Sequence, residues 1–263
     1  MNVAIVLPTY NEKENITRML TALSSEFTKI EKSTTFKMQV LVVDDKSPDG
    51  TGKIVESIIK KNKRVSMISG NKNGLGNAYI RGFHHAMNNL KVDVVMEMDA
   101  DFSHNPKDIK RLLSPLAKGY DFVIGSRYIE NGSIPADWSF MRKMNSRFGN
   151  IFARYVAGIY HIHDCTAGFR AIKTSLLEQM SLDQLKVEGY SFQMNLLHRA
   201  LQRDAKIKEV PVDFIDRQYG ESKISTSDII EFVQNAFMLR YLDTKLIVHG
   251  ILSNGLSRLQ RAS

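Results

Sequence analysis

Cysteine is almost missing from this chain of 263 residues, because Cys165 is the only one. An intramolecular disulfide is therefore excluded, which is typical of proteins from a reducing compartment. No stretch reaches the roughly 18 consecutive apolar residues that a membrane-spanning helix needs. The first apolar run, Val3–Leu7, has no basic segment before it and predicts a first strand, not a signal peptide. The sequence also lacks Gly-x-Ser-x-Gly and His-Glu-x-x-His, two signatures of hydrolases.

Acidic residues are outnumbered by basic ones, and the net charge is +8. An excess of this size suits nucleic acid, a membrane surface or a phosphate-bearing substrate, but a solvated basic surface without a partner explains it equally well. Hydrophobic residues at 43% and charged residues at 24% are ordinary for a globular protein and exclude a disordered or fibrous chain. No basic and aromatic RNA-binding signature is found, so we expect no nucleic-acid partner.

Short apolar runs alternate with helical patterns in the first half of the chain. This alternation predicts βαβ units, and hence an α/β fold with a mainly parallel sheet flanked by helices. The predicted strands are Val3–Leu7, Gln39–Val43, Val65–Ser69, Asp93–Met98 and Phe122–Gly125. The predicted helices are Glu14–Glu26, Gly52–Lys61, Ala78–Leu90 and Pro106–Leu116.

The second half begins with a helix predicted over Phe140–Gly158. Five apolar residues in it recur at helical spacing on one stripe, whereas Arg142 and Ser146 are four residues apart and share a different face. The stripe consists of Met141, Met144, Phe148, Ile151 and Tyr155. Further elements are a strand over Gly168–Lys173, a helix over Ser191–Arg203, a strand over Ile207–Phe214 and a last helix over Ile229–Leu242. We expect one catalytic domain over residues 1–225 and a C-terminal amphipathic helix and tail over 226–263.

Two acids follow the fourth predicted strand, at Asp99 and Asp101. Ligands of open α/β sheets bind beyond the carboxyl ends of the strands, and two carboxylates this close repel each other unless a cation lies between them. Oxygen ligands of this kind suit Mg²⁺ or Mn²⁺, and substrate phosphates complete the shell of such a metal. The alternative is local, with Asp101 or Ser103 capping backbone amides before the helix at Pro106.

The second strand also ends in acids, Asp44 and Asp45. A carboxylate here is placed to accept hydrogen bonds from a ribose or a base edge, although Ser47–Gly50 is equally good turn chemistry. Further on, Gly74–Gly76 opens a helix but lacks the third glycine of a dinucleotide fingerprint, since Tyr79 stands in its place. A tight turn with close backbone approach is the prediction for these glycines.

Cations in the second half of the chain supply candidate phosphate ligands. Arginine forks match phosphate oxygens in pairs, although any one exposed arginine is usually just solvated. The candidates are Arg127, Arg142, Arg217 and Lys223.

Taken together and in order, these motifs resemble the dolichol-phosphate or polyprenol-phosphate mannosyltransferases, which are family 2 glycosyltransferases of GT-A fold. The resemblance extends to about Lys223. It is carried by Pro8–Glu12, Val43–Thr51, Gly74–Gly76, Met98–His104, Gly125–Tyr128, Gly168–Arg170, Gly189–Gln193 and Arg217–Lys223.

The resemblance implies a role for each matching residue. The nucleoside of a nucleotide sugar would be held by Pro8, Tyr10, Glu12, Val43 and Asp45. The metal and the sugar diphosphate would be bridged by Asp99, Ala100 and Asp101, with Ser103 as a further metal ligand where some relatives have glutamine. Phosphate groups would be contacted by Arg127, Arg217 and Lys223. The lipid phosphate would be received by Arg142 and Ser146, which with Asp101 and Arg127 form the implied catalytic set.

The implied reaction moves mannose from GDP-mannose to a polyprenyl (dolichyl) monophosphate, with inversion at the anomeric carbon and with Mg²⁺ or Mn²⁺. A polyprenyl-phosphate glucosyltransferase that uses UDP-glucose is the nearest alternative. A non-catalytic nucleotide-sugar-binding subunit is the alternative from another class.

The acceptor's prenyl tail requires a membrane. Apolar residues from Ile229 to Leu252, accompanied by Arg240, Lys245, Arg258 and Arg261, suit a segment lying in the bilayer interface. Core packing with a frayed end explains the same pattern. We expect peripheral attachment, directly or through a separate membrane subunit, on the cytoplasmic face of the endoplasmic reticulum in a eukaryote or of the plasma membrane in a prokaryote.

Overall fold

A computed structural model describes residues 1–185, 189–216 and 229–244. Its centre is a seven-stranded sheet of order β3-β2-β1-β4-β6-β5-β7. All strand pairs are parallel except those of β6, which runs antiparallel to β4 and β5. The strands are β1 (Asn2–Thr9), β2 (Lys37–Asp44), β3 (Val65–Ser69), β4 (Val94–Glu97), β5 (Phe122–Ser126), β6 (Arg170–Lys173) and β7 (Ile207–Pro211). The predicted fold class is confirmed.

Helices cover both faces of this sheet. They are α1 (Lys13–Ser33), α2 (Thr51–Ile59), α3 (Leu75–Asn88), α4 (Ile109–Leu116), α5 (Phe140–Val156), α6 (Thr174–Leu177), α7 (Gly189–Leu201) and α8 (229–244). Two 3₁₀ turns, Pro106–Asp108 and Leu182–Gln184, complete the set. The helix predicted over Pro106–Leu116 therefore starts as a 3₁₀ turn, and α1 continues seven residues beyond its predicted end at Glu26.

Alternate side chains of β1 belong to two different hydrophobic cores. Val3, Ile5 and Leu7 pack with α1, α2 and α4, whereas Ala4 and Val6 pack with α3, α5 and α7. Successive side chains of a strand point to opposite faces, and both faces are covered, so β1 has an uninterrupted apolar sequence.

One edge of the sheet collects the polar segments that the sequence places after the strands. The carboxyl ends of β1, β2, β4 and β5 meet there. Because β6 is antiparallel, its start lies at the same edge, and its register sets Arg170 beside Glu97. The reversed direction of β6 was not predicted, and it adds Gly168 and Phe169 to this edge.

The predicted C-terminal helix is present as α8. Its Ala236 and Leu239 are buried, and its Asp243 accepts a hydrogen bond from His198 of α7 at 2.9 Å. Part of α8 therefore packs on the core. Among the described residues no helix is long and apolar enough to cross a membrane. The predicted tail from Lys245 onward lies outside the described residues.

Candidate active site

The first wall of the site joins the loops after β1 and β2. The Thr9 hydroxyl donates to Asp44 Oδ1 at 3.0 Å, and Ser47 donates its hydroxyl to Oδ1 at 2.6 Å and its amide to Oδ2 at 3.0 Å. Asp44 is thereby used to build the turn, as the local alternative predicted. Its neighbour Asp45 stands at the site's rim.

Asp45 forms an ion pair with Arg81 of α3. Burial raises the pKa of Asp45, and the hydrogen bond and charge of Arg81 oppose this rise. Gly70 makes room for the pair, since a Cβ there would overlap the guanidinium of Arg81. Sequence reasoning missed Arg81, which lies in the middle of an amphipathic helix and has no motif around it.

Tyr10 is the most accessible of the predicted nucleoside contacts, with 39% of its surface exposed. The ammonium of Lys72 lies 3.7 Å from the centre of its ring. Glu12 accepts a hydrogen bond from Asn15 at 2.8 Å. Two other predicted contacts are less available, since Pro8 is half-buried and Val43 packs wholly in the core.

Asp99, Ala100 and Asp101 form a turn directly after β4. The Asp99 side chain is 39% exposed, whereas Ala100 and Asp101 are buried. Ser103 donates its amide at 2.9 Å and its hydroxyl at 2.6 Å to Asp101 Oδ1. The predicted local capping is therefore present, and the structure turns the Ser103 hydroxyl onto Asp101.

His104 supports this turn from below. The Asp99 amide donates to His104 Nδ1 at 3.1 Å, and the ring stacks on Phe169 with centres 4.9 Å apart. Burial lowers the pKa of His104 to about 4, so the ring is neutral near pH 7. Since Nδ1 accepts, the ring proton is on Nε2. His104 belongs to the motif Met98–His104, but its sequence context predicts no role for it.

A second unpredicted group lies beneath the acids. Glu97 is fully buried, and burial raises its pKa to about 7 despite the opposing charge of Arg170, whose Nε is 4.0 Å from Oε2. Arg170 is fully buried too and donates to the carbonyls of Gln193 at 2.7 Å and Cys165 at 2.9 Å. The pairing depends on the β4–β6 register, which the sequence does not reveal.

Arg127 lies at the end of β5 with its guanidinium turned to Asp164. Nε donates to Oδ2 at 2.8 Å and Nη2 to Oδ1 at 2.7 Å, while Nη2 also donates to Thr166 at 2.9 Å. Burial alone would raise the pKa of Asp164, but the charge and hydrogen bonds of Arg127 hold it below its ordinary value. The residue predicted to contact phosphate is thus anchored in a buried ion pair.

Arg142 and Ser146 lie on α5, as predicted. Arg142 makes two hydrogen bonds to Asp216, at 2.8 and 3.1 Å, and its guanidinium carbon is 4.0 Å from the centre of the Trp138 ring. Ser146 accepts a 2.6 Å hydrogen bond from the Tyr128 hydroxyl, which ties α5 to the loop holding Arg127. The two other predicted phosphate ligands, Arg217 and Lys223, lie outside the described residues.

Within 1–185, 189–216 and 229–244, no group of three or more His, Cys, Asp and Glu side chains is arranged to hold a metal ion. The edge of the sheet instead brings together two neighbouring acids, one half-exposed and one buried, and a rim of arginine and lysine. This arrangement suits a ligand that carries phosphate.

Three comparisons with known proteins agree with this picture. The glycosyl transferase family 2 model matches residues 4–181. The polyprenol monophosphomannose synthase of Mycolicibacterium smegmatis is 37% identical over 229 residues, covering 86% of this chain and 82% of that protein. The undecaprenyl-phosphate mannosyltransferase of Micrococcus luteus is 37% identical over 236 residues, covering 89% and 92%.

Solved structures with similar architecture have much lower identity and support the fold alone. Mannosyl-3-phosphoglycerate synthase from Rubrobacter xylanophilus superposes with a TM-score of 0.62 at 19% identity, covering 95% of this chain and 75% of that one. Glucosyl-3-phosphoglycerate synthase from Mycobacterium tuberculosis, solved with Mn²⁺ and UDP-glucose, gives 0.60 at 17% identity, covering 89% and 75%.

Proposed function

Since the chain belongs to glycosyl transferase family 2, we propose that it transfers mannose from GDP-mannose to a polyprenyl (dolichyl) monophosphate. One observation carries the proposal. Two relatives are 37% identical to this chain over most of its length, and their names describe mannose transfer to polyprenyl phosphates. The geometry of the sheet edge supports it step by step.

The donor's nucleoside is proposed to bind between the loops after β1 and β2. Asp45, fixed by Arg81, is placed to accept hydrogen bonds from the ribose or the base. The half-exposed ring of Tyr10 offers a stacking surface for the base. Lys72, above that ring, adds positive charge for the diphosphate. Pro8 and Glu12 adjoin this predicted pocket, whereas the side chain of Val43 lies in the core behind it.

The chemistry of Asp99 and Asp101 fits a Mg²⁺ or Mn²⁺ ion, because both prefer oxygen ligands. A third protein ligand is not needed, since such ions keep several waters and take the rest of their shell from phosphates. When bound, the cation supplies neutralisation of the diphosphate's charge. The hydrogen bonds from Ser103 fix the rotamer of Asp101, so we propose that Ser103 orients a ligand. Ala100 contributes its backbone to the turn.

The acceptor needs no general base. A phosphate monoester has a second pKa of about 6, so its oxygen is already a charged nucleophile near pH 7. The proposed step forms a bond from this oxygen to the anomeric carbon of mannose while the bond to the diphosphate oxygen breaks. The diphosphate leaves with the electron pair on GDP. Attack opposite the leaving group inverts the anomeric carbon.

The task left to the protein is to hold two anions at close range. Arg142 and Ser146, on one face of α5, are proposed to receive the acceptor phosphate. Arg127 keeps the adjoining loop in place through Asp164. Arg217 and Lys223 are proposed to contact the donor's phosphates, and Asp216, directly before Arg217, already pairs with Arg142.

The site of action is proposed to be a membrane surface on the cytoplasmic side. The prenyl tail of the acceptor is confined to a bilayer, and α8 presents exposed apolar side chains such as Phe237 and Tyr241. The catalytic domain over 1–225 would then be attached by the segment 226–263, directly or with a membrane subunit.

Thermal-shift titration separates the donor alternatives. We expect GDP-mannose with Mn²⁺ to raise the melting temperature of the purified protein more than UDP-glucose does, because a ligand that binds only the folded state stabilises it. A larger rise in melting temperature with UDP-glucose would indicate that the enzyme transfers glucose and not mannose. A shift with GDP-mannose but no lipid product on adding polyprenyl phosphate would favour the non-catalytic subunit.

A further inference from the structure

The apolar stripe of α5 points away from the core. Its opposite face is buried at Asn150 and Ala153, whereas the stripe itself is among the most exposed apolar surface of the described residues, with Phe140 at 74% and Phe148 at 67%. With Phe140 added at the start of the helix, the exposed apolar residues of α5 are Phe140, Met141, Met144, Phe148, Ile151 and Tyr155. Contiguous apolar surface of this kind marks a contact with another molecule or with a membrane.

The stripe continues onto α8 through one aromatic residue. The ring of Phe152 lies 6.4 Å from Phe148 on α5, and 6.4 Å from Phe232 and 5.9 Å from Phe237 on α8. The exposed apolar side chains of α8 are Ile229, Ile230, Phe237, Met238, Tyr241 and Leu242. We call these two sets and Phe152 the apolar surface.

A cavity of about 370 Å³ opens beside this surface, between α5 and the loop after β5. Arg147, Ile151 and Arg154 lie on its α5 side and are spaced by four and three residues, so they share one face of the helix. Ile151 belongs to the apolar surface. The two arginines therefore border the apolar surface along the cavity.

Both arginines have N–H groups without a hydrogen-bond partner among the described residues. Arg154 donates from Nη2 to the Tyr160 carbonyl at 3.1 Å, but its buried Nε has no partner in the described part of the chain. Arg147 has no hydrogen bond or ion pair with any described residue. A buried donor without a partner is destabilising, and an anion in the cavity would supply that partner.

The other charged groups of the cavity are already paired. Arg127 is paired with Asp164, and His163 Nδ1 lies 2.9 Å from Glu209 Oε2. Among the residues that the structure describes, Arg147 and Arg154 are thus the charged groups of the cavity without a counterion. Arg142 and Ser146, the candidate acceptor ligands, do not line the cavity, which adjoins the candidate acceptor site through Arg127 and Tyr128.

We propose that this cavity binds the phosphate of an anionic bilayer lipid, with the apolar surface of α5 and α8 embedded in the membrane interface. Basic residues that border an apolar stripe are typical of helices lying in the interface, where their stems follow apolar surface and their heads reach lipid phosphates. A second copy of this chain is the other occupant that such a surface could take, and the Phe148 variants below distinguish it from a membrane. The lipid is a component of the bilayer and not the acceptor, so this site goes beyond the proposed reaction.

Binding to vesicles in the absence of substrates tests the proposed role of Arg147 and Arg154. The protein is sedimented with phosphatidylcholine vesicles that contain or lack phosphatidylglycerol. We expect R147Q/R154Q to weaken binding to the anionic vesicles about tenfold or more, since each basic residue near such a surface contributes substantially, and to leave binding to neutral vesicles nearly unchanged. The control K60Q/K61Q removes the same charge just beyond α2 and should bind like the wild type. Equal binding by both double variants would overturn the site.

Substitutions of Phe148 test the proposed contact between the apolar surface and the membrane. We expect F148S to weaken binding to both vesicle types and F148L to restore it, with mannose transfer in detergent near wild type in every variant. If F148S instead turns a dimer into a monomer while vesicle binding stays unchanged, the surface joins two copies and the proposal fails. If wild-type binding does not depend on the phosphatidylglycerol content, while inorganic phosphate raises the melting temperature of the wild type but not of R147Q/R154Q, the cavity binds free phosphate and the proposal is also overturned.

Discussion

The guanidinium of Arg127 is held by both carboxylate oxygens of Asp164, through Nε at 2.8 Å from Oδ2 and Nη2 at 2.7 Å from Oδ1. Both side chains are buried, and the Arg127 amide donates to Oδ2 as well. The pair therefore fixes the start of the loop after β5. Tyr128, the next residue in this loop, donates a hydrogen bond to Ser146 of α5. Arg127 shapes the candidate acceptor site from within the protein.

Replacing Asp164 should destabilise the fold strongly. Asp164→Asn leaves Arg127 buried without a countercharge, and removing one partner of such a pair costs about 3–5 kcal/mol. Urea unfolding of both proteins measures the difference, with Asp137→Asn, an exposed aspartate, as control. An unfolding free energy within error of the wild type would contradict the role given to the pair.

This difference should depend on pH with a definite sign. The pKa of Asp164 in the folded protein lies below its ordinary value, so the pair's contribution is complete above that ordinary value and is lost as the pH falls through the folded pKa. The gap in unfolding free energy between wild type and Asp164→Asn should therefore narrow on acidification. A gap that widens towards acid would show that another group holds the loop.

Asp101 is the acid on which the donor site depends most. We expect Asp101→Ala to abolish transfer, because the proposed metal loses a ligand, while the far-ultraviolet circular dichroism stays native. Ser103→Ala should retain reduced activity, since it removes only the hydroxyl that orients Asp101 and keeps the backbone hydrogen bond. Normal turnover by Asp101→Ala with purified lipid phosphate would refute the metal assignment.

Arg81 should matter for the donor alone. Arg81→Ala leaves Asp45 without its ion pair, and hydrogen bonds to charged groups contribute about 1.5–3 kcal/mol. We expect the KM for the nucleotide sugar to rise roughly tenfold to hundredfold, with the acceptor KM unchanged. Steady-state kinetics with each substrate varied in turn measures both. A rise confined to the acceptor KM would place Arg81 elsewhere in the mechanism.

Arg142 should show the opposite selectivity. Arg142→Ala is expected to weaken use of polyprenyl phosphate more than binding of the donor, because the proposed contact is with the acceptor. Lys143→Ala, next to it on α5, removes a similar charge and is the matched control. Equal effects on both substrates would mean that Arg142 acts mainly through Asp216 and the adjoining chain.

The sequence predicted the order of strands and helices because parallel βαβ units impose a strict alternation of short apolar runs and amphipathic helices. It also located Asp45, Asp99 and Asp101, since parallel strands bring their carboxyl ends to one edge. It did not predict that β6 runs antiparallel, because strand direction is set by tertiary pairing and not by local pattern. The contacts of Arg170 and Glu97 follow from that pairing and were missed with it.

The periodicity of apolar residues also does not show which side of a helix faces the core, as α5 illustrates. The spacing of Met141, Met144, Phe148 and the later members of the stripe predicts a helix correctly, but it cannot say whether the apolar side meets the core or the surroundings. Only the burial of Asn150 on the opposite side resolves the question. Arg127 is a similar case, since its buried partner Asp164 is 37 residues further along the chain.

The transfer assay itself tests the central claim most directly. Purified protein is incubated with radiolabelled GDP-mannose, Mg²⁺ or Mn²⁺ and polyprenyl monophosphate in detergent, and the lipid extract is analysed for mannose and its anomeric configuration. We predict a mannosyl polyprenyl phosphate of inverted configuration, formed by the wild type and not by Asp101→Ala. A wild-type extract without lipid-linked mannose, or one labelled only when UDP-glucose is the donor, would contradict the account.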